Sequence, residues 1–112
     1  MKLFVPGRIC LFGEHSDWAG GYRRINAEIE KGYTLIVGTN QRIYADVKAH
    51  PNKLILTATL NDGTRNGPYE LPMNTDALLK EAEKGSFFSY AAGVAYQIMT
   101  HYHVRGLVID NY

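Results

Sequence analysis

Residues 6–21 are the most informative part of this chain, and they read PGRICLFGEHSDWAGG. A β-rich segment brings Arg8 to one end of this stretch. A polar segment framed by glycines occupies the other end and carries Glu14, His15 and Asp17. Because glycines allow tight turns and close approach of a ligand to the backbone, we expect these side chains to converge on one site.

The side chains of this stretch indicate a ligand with several hydroxyls and a phosphate. Carboxylates such as Glu14 and Asp17 accept hydrogen bonds from neighbouring hydroxyls, and His15 can donate or accept. The Arg8 guanidinium adds a fixed positive charge with donors that suit phosphate oxygens. We predict no metal site here, because the spacing of the acids and the histidine fits none of the usual ligand arrangements.

The same stretch resembles the first motif of the GHMP kinases, the family named for galactokinase, homoserine kinase, mevalonate kinase and phosphomevalonate kinase. The shared pattern is Pro-Gly-Arg, four apolar residues, Gly-Glu-His, Thr or Ser, Asp, an aromatic residue and two later glycines. The galactokinase branch fits best, with Cys10 in place of its usual Asn and Trp18 in place of its usual Tyr. Mevalonate kinases usually carry Lys at the position of Arg8 and lack the acid of Asp17, so that branch fits less well.

The resemblance implies a role for each matching residue. Arg8 would be the catalytic residue, placed beside the phosphoryl group in transfer, where it stabilises charge. ATP and Mg²⁺ would be the cofactors, and a small sugar or related alcohol would be the acceptor. The acceptor-binding residues would be Glu14, His15, Asp17, Gly20 and Gly21.

The function implied by the resemblance is ATP-dependent phosphorylation of a small sugar at its anomeric hydroxyl. In the family, a Gly/Ser-rich phosphate loop follows a strand like residues 106–111, and Tyr112 lies just before that point. We therefore expect residues 1–112 to be the N-terminal part of a GHMP kinase N-terminal domain, a single incomplete domain, inactive alone, whose partner is the remainder of the kinase. Two alternatives stay open, a mevalonate-kinase-like alcohol kinase and a non-catalytic sugar-sensing relative.

Hydrophobic periodicity around the motif predicts an α+β fold, with an antiparallel-rich mixed sheet and helices packed on one face. Residues 3–12 read as strand material interrupted at Pro6 and Gly7, and residues 13–21 read as a loop. Residues 43–49 and 54–60 alternate as strands, and the segment 50–52 is predicted to join them as a hairpin. The remaining predicted elements are a turn at 61–63, a helix over 76–83 capped by Asn74 or Thr75, a helix over 87–101 capped by Ser86, and a buried strand at 107–109.

Composition narrows the class of protein further. The chain has 112 residues, a formal net charge of +1 and 46% hydrophobic residues, which suits a globular domain and argues against a nucleic-acid partner. The single cysteine, Cys10, rules out an internal disulfide. The first residues do not have the pattern of a signal peptide, and no apolar run is long enough for a membrane span. These features predict a cytoplasmic protein with no membrane partner.

Overall fold

The computed structural model describes residues 1–16 and 18–112 and has the expected α+β architecture. Its five strands form one sheet in the order β1-β2-β5-β3-β4. Strand β2 is antiparallel to β5, β3 is antiparallel to β4, and β3 is parallel to β5, so the sheet is mixed as predicted. The elements in chain order are β1 (Lys2–Phe12), α1 (Ala19–Tyr22), β2 (Leu35–Ala49), β3 (Lys53–Thr59), β4 (Arg65–Pro72), α2 (Thr75–Ala82), α3 (Ser89–Tyr102) and β5 (Leu107–Asn111).

The predicted hairpin at residues 50–52 is wrong. Strand β5 lies between β2 and β3, and the backbone N–H of His50 donates to the carbonyl of Gly106 at 2.9 Å. The His50 Nδ1 accepts bonds from the backbone N–H groups of Asn52 and Lys53, which turns the chain away from β2. Alternation fixes which side chains share a face, but it does not say which strand lies alongside, so a distant strand can take the place of the next one.

The turn at residues 61–63 is confirmed and joins β3 to β4. Gly63 has a φ of +84°, a conformation that glycine adopts without steric cost. The Asp62 carboxylate accepts a bond of 2.8 Å from the backbone N–H of Thr64, and the N–H of Leu60 donates to the carbonyl of Thr64. The Asn-Asp-Gly sequence therefore supplies the turn chemistry that the prediction relied on.

Strand β1 continues through Pro6 and Gly7, where a break was expected. It lies at the edge of the sheet, and edge strands tolerate a proline that cannot donate a hydrogen bond. Gly7 packs closely on β2, since a Cβ at that position would lie 2.6 Å from the Thr39 Oγ1. Close strand packing, rather than a turn, explains this glycine.

The chain forms two compact units, one made of Met1–Phe4 with Tyr44–Tyr112 and the other made of Val5–Ile43. In the first unit, α2 and α3 pack on one face of the sheet, as predicted. The buried core of that face combines strand and helix residues, namely Leu54, Met73, Leu78, Ala92 and Ala95. Helix α2 begins as expected, because the Asn74 side chain accepts a bond of 2.9 Å from the N–H of Ala77.

Helix α3 differs from its prediction in both its cap and its buried face. Ser86 does not cap it, because the residue before the helix is Phe88 and no side chain caps the first turn. The hydrophobic periodicity of this segment predicts a core stripe of Phe87, Ala91, Val94 and Ile98, widened by Phe88, Ala95 and Met99. Of these seven residues only Ala95 is buried, and Phe87 and Val94 are 64% and 57% exposed. The buried face consists of the small residues Ser89, Ala92 and Ala95, which let the helix approach its neighbours closely.

Candidate functional site

The predicted site residues that the structure describes all lie in the second unit, Val5–Ile43. Arg8 lies within β1, and Glu14 and His15 lie in the turn that follows the strand. Gly20 and Gly21 lie in α1, so the expectation of an irregular loop is wrong at these two positions. Asp17 lies outside the described residues.

Gly13 produces the sharp bend between β1 and the turn. It has a φ of +87°, and a Cβ at this position would lie 1.8 Å from the carbonyl oxygen of Tyr33. No other residue fits this combination of left-handed backbone and close packing. The glycine therefore fixes the direction in which the chain leaves the strand and presents Glu14 and His15.

Side chains on both sides of the bend hold the turn against the start of β2. The Ser16 hydroxyl donates to the carbonyl of Gly13 at 3.1 Å and lies 3.4 Å from the carbonyl oxygen of Tyr33. The Thr34 hydroxyl donates to the same Gly13 carbonyl at 3.4 Å. Sequence reasoning missed Ser16, Tyr33 and Thr34, although a serine three residues after a glycine is a signal for such a turn.

Helix α1 continues the turn with a single short helical segment. The backbone N–H of Ala19 donates to the carbonyl of Ser16, and the N–H of Gly21 donates to the carbonyl of Trp18. The rings of Trp18 and Tyr22 meet edge to face with centroids 5.3 Å apart, and both side chains are exposed. This aromatic pair therefore presents exposed apolar surface directly after the turn.

Arg8, Glu14 and His15 are all exposed. Among the described residues, no hydrogen bond or ion pair joins any of these three side chains to another. In an extended strand, four residues from Arg8 to Phe12 span roughly 13 Å. Arg8 therefore lies at some distance along the chain from Glu14 and His15, and all three side chains are exposed to solvent.

Within residues 1–16 and 18–112, no group of three or more His, Cys, Asp or Glu side chains is arranged to hold a metal ion. None of the helices in this described part has the length and apolar composition that crossing a membrane requires.

A second polar cluster, which sequence reasoning missed, lies in the first unit between α2 and α3. Its centre is Glu81, whose side chain is only 3% exposed. The Glu81 carboxylate accepts hydrogen bonds from the Lys84 ammonium and from the Ser86 hydroxyl, and the Ser89 hydroxyl donates to the Glu81 carbonyl. These bonds compensate the burial of the charge and fix the connection that leads into α3.

The hydrogen bonds also set the acidity of this cluster. The pKa of Glu81 falls from 4.5 to about 2, because Lys84, then Tyr69, then Ser86 donate to its carboxylate. The pKa of Tyr69 is raised, first by burial and then by its bond to Glu81. The Tyr69 ring stacks on Phe88 with centroids 4.1 Å apart, so the cluster ties β4 to the start of α3. The signal in the sequence is an acid inside an apolar helical pattern, followed by Ser86 and Ser89.

The fold is similar to those of two solved mevalonate kinases. The enzyme from Methanococcus jannaschii matches 100% of this chain with a TM-score of 0.67 and 17% sequence identity. A second mevalonate kinase matches 99% of the chain with a TM-score of 0.64 and 15% identity. This chain spans about a third, 32%, of the length of each of those two structures.

These likenesses establish the fold, which is the fold expected from the resemblance to GHMP kinases. No known family profile matches the sequence, and no curated protein matches it either. The resemblance of residues 6–21 to the galactokinase branch therefore rests on the sequence motif alone.

Proposed function

We propose that this chain is the acceptor-binding part of an ATP-dependent small-molecule kinase of the GHMP type. The observation that carries the proposal is the placement of the 6–21 motif. Its arginine lies on β1, its glycine produces the bend, and its acid and histidine follow in an exposed turn, within a fold similar to that of mevalonate kinases. The acceptor that fits these residues best is a small sugar, phosphorylated at its anomeric hydroxyl.

In this proposal, Glu14, His15 and Asp17 bind the hydroxyls of the acceptor. Carboxylates accept from neighbouring hydroxyls, and an acceptor that lacks one of them leaves a site oxygen unpaired, which gives specificity. Gly20 and Gly21 leave open space beside the site, because a Cβ at either position would meet no atom within 4 Å. A ligand can therefore approach the backbone of α1.

Arg8 acts on the phosphoryl side of the same ligand. Phosphoryl transfer depends mainly on positioning and on stabilising the charge that develops on the transferred group. The guanidinium is a planar hydrogen-bond donor that suits those oxygens, and the strand holds the backbone of Arg8 in place. Arg8 is therefore expected to contribute more to turnover than to the affinity for the acceptor.

The phosphoryl donor would be ATP with Mg²⁺, which when bound supplies the group that is transferred. We assign nucleotide and Mg²⁺ binding to the remainder of the kinase.

A second candidate is a mevalonate-kinase-like enzyme that phosphorylates a non-sugar alcohol. The two structural matches, both mevalonate kinases, favour it. The residues Arg8 and Asp17 favour the sugar kinase, because the mevalonate branch usually has Lys at the first position and no acid at the second. A third candidate is a sugar-sensing protein that keeps the acceptor site without catalysis.

Measuring which acceptor this chain binds distinguishes the sugar kinase from the mevalonate-kinase-like enzyme. Isothermal titration of the 112-residue protein should show binding of a hexose and no binding of mevalonate. Glu14→Gln should weaken that binding by about tenfold or more, since it removes a charge-assisted hydrogen bond. Glu28→Gln, an exposed acid of the same unit, is the matched control and should bind normally. Binding of mevalonate instead would contradict the sugar proposal.

Measuring turnover distinguishes the kinase proposal from the sugar-sensing alternative. In the intact kinase that contains these residues, sugar should cause release of ADP from Mg·ATP. Arg8→Ala should lower turnover by roughly a hundredfold or more with little change in sugar affinity, as expected for a group that acts on transition-state charge. Arg23→Ala is the control from the same unit. If sugar and nucleotide both bind and no ADP is released with any sugar, the sensor is the better description.

A further inference from the structure

A pocket of about 420 Å³ lies in the first unit, between the end of α3 and the turn that joins β2 to β3. None of the described residues that line it is an Asp or a Glu. Pockets of this size that combine apolar surface with a few polar groups are typical of sites for small ligands. The apolar lining includes Met73, Met99 and Val104, and the polar lining comes from Asn52, His103 and Arg105.

Backbone contacts hold the segments that build this pocket in place. The N–H of Met73 donates to the carbonyl of Asn52 at 2.9 Å, and the N–H of His50 donates to the carbonyl of Gly106 at 2.9 Å. A Cβ on Gly106 would lie 2.5 Å from the His50 carbonyl oxygen, so the segment that carries Arg105 packs directly on the turn. The fold therefore forms the pocket before any ligand arrives, which reduces the cost of ordering it on binding.

The polar side chains of the pocket are not used within the protein. In the part of the chain that the structure describes, no hydrogen bond or ion pair involves the side chains of Asn52, His103 or Arg105. Lys53 and Arg65 differ in this respect, because each pairs with an acid. The Arg105 guanidinium therefore offers its donors to a ligand, and carboxylate or phosphate oxygens match their geometry.

His103 occupies a position that glycine would occupy at less cost. It ends α3 with a φ of +55°, and its N–H donates to the carbonyl of Met99 at 3.1 Å. Helices commonly end in this left-handed conformation, and glycine is the usual residue because a Cβ is sterically disfavoured there. The strained position brings an imidazole to the pocket, and strain of this kind is concentrated at functional sites.

The apolar part of the pocket suits a hydrocarbon group. Met73 is 8% exposed, and Met99 and Val104 are half-buried. Methionine side chains are flexible and polarisable, so two of them can adapt to apolar groups of different shape. An inorganic anion would leave this surface unused, and a neutral hydrocarbon would leave Arg105 without a partner.

We propose that this pocket binds a small organic anion, a carboxylate or phosphate monoester that carries a short apolar group. The Arg105 guanidinium pairs with the anion, Asn52 and His103 donate further hydrogen bonds, and the apolar group lies on the two methionines. The full charge of Arg105 exceeds the roughly half negative charge at the end of a helix, so an anion is preferred over a cation. This inference is independent of the proposed kinase function, whose acceptor residues belong to the second unit.

The methionines provide a direct reporter for this site. The chain has three, Met1, Met73 and Met99, so a spectrum of the ¹³C-methyl-labelled methionines contains three signals. Titration of the 112-residue protein with octanoate or octyl phosphate should shift the Met73 and Met99 signals saturably and leave Met1 unchanged, and the tighter probe identifies the preferred anion. Octanol carries only the apolar group and acetate only the anion, so each should bind at least about tenfold more weakly.

Two variants test the polar contacts. Arg105→Gln should weaken octanoate binding by about tenfold or more, because it removes a charge-assisted hydrogen bond. His103→Gly removes the imidazole and relieves the left-handed conformation, so it should weaken binding by about threefold or more while raising the urea midpoint of unfolding. A purely structural role of His103 would not produce that combination. Arg24→Gln, at an exposed position of the second unit, is the control and should bind normally.

Three outcomes would overturn the proposal. The first is the lack of a saturable shift of the Met73 and Met99 signals with both probes. The second is equal affinity for octanol and octanoate, which would mean that apolar contact alone accounts for binding. The third is an affinity that Arg105→Gln and His103→Gly leave unchanged. Loss of hexose binding in the second unit has no bearing on these readouts, so the two proposals fail separately.

Discussion

Each of the two units of this protein is stabilised internally by a different kind of contact. In Met1–Phe4 with Tyr44–Tyr112, two helices cover one face of the sheet, and residues such as Leu54 and Leu78 are almost completely buried. In Val5–Ile43, none of the described residues is fully buried. The second unit relies instead on close packing at two glycines, Gly7 on the Thr39 side chain and Gly13 on the Tyr33 carbonyl.

The proposed acceptor site and most of the stabilising apolar burial therefore lie in different units. Burial of apolar side chains supplies most of the folding free energy of a domain, and here it is concentrated in the first unit. The polar groups proposed to bind the acceptor lie in the second unit, where they stay accessible because little covers them. The second unit should therefore open more readily, and its geometry should depend on single glycines.

The largest expected effect comes from the core of the first unit. Leu78 is 0% exposed, and Leu78→Ala should lower the free energy of unfolding by about 2–5 kcal/mol, because it removes buried methyl groups and leaves a cavity. Leu79, the next residue of α2, is 38% exposed, and Leu79→Ala should cost less than about 1 kcal/mol. Urea unfolding followed by circular dichroism measures both. Equal losses would mean that this core does not dominate stability.

A smaller, local effect is expected from the bend of the second unit. Gly13→Ala forces a Cβ against the Tyr33 carbonyl and a left-handed backbone on alanine, which should cost about 1–3 kcal/mol in that unit. Hydrogen exchange should speed up at the amides of Val5–Ile43 and stay slow in the first unit. Gly20→Ala meets no atom within 4 Å and lies in α1, so it should stabilise by up to about 1 kcal/mol. Identical exchange in the two variants would contradict a special role for Gly13.

The last expected effect is the one most dependent on pH, and it concerns Glu81. Its pKa is about 2 in the folded protein against an ordinary value of 4.5, so the ionised form stabilises the fold. That contribution is complete above about pH 4.5 and is lost as the pH falls towards about 2. Glu81→Gln should flatten the loss of stability in this window, measured by urea unfolding at several pH values.

The matched control is Glu83→Gln, which changes an exposed acid two residues along. It should keep the acid-dependent slope of the unaltered protein. If the two variants behave alike, the acid sensitivity of the first unit comes from groups other than the Glu81 cluster.

Much of the fold could be predicted from residue pattern alone. Alternation places Leu54, Leu56, Ala58 and Leu60 on one face of a strand; the first three are buried in β3, whereas Leu60 lies beyond the end of β3 and is exposed. The turn at Gly63 and the cap at Asn74 were predicted because each depends on local backbone chemistry. The pairing of β2 with β5 could not be predicted in this way, because it joins residues about sixty positions apart.

The residue types of the candidate site could be predicted from the sequence, but the contacts that position them could not. The motif identified Arg8, Glu14 and His15 as polar groups near a glycine bend, and these residues lie in one unit. The contacts that hold the bend, from Ser16 and Thr34, involve the start of a strand about twenty residues later. Likewise, the burial of Glu81 depends on side chains from β4, α2 and the segment before α3, which no single stretch of sequence displays.

The amino-acid sequence by itself determined the local features of this protein: the faces of its strands, its tight turns, the start of α2 and the polar groups offered by residues 6–21. Each of these follows from steric and hydrogen-bonding preferences that act over a few residues. Only the tertiary structure decided that β5 separates β2 from β3 and that small residues of α3 face the core. These features depend on which pairing of distant segments buries the most apolar surface, and this can be judged only once the whole chain is folded.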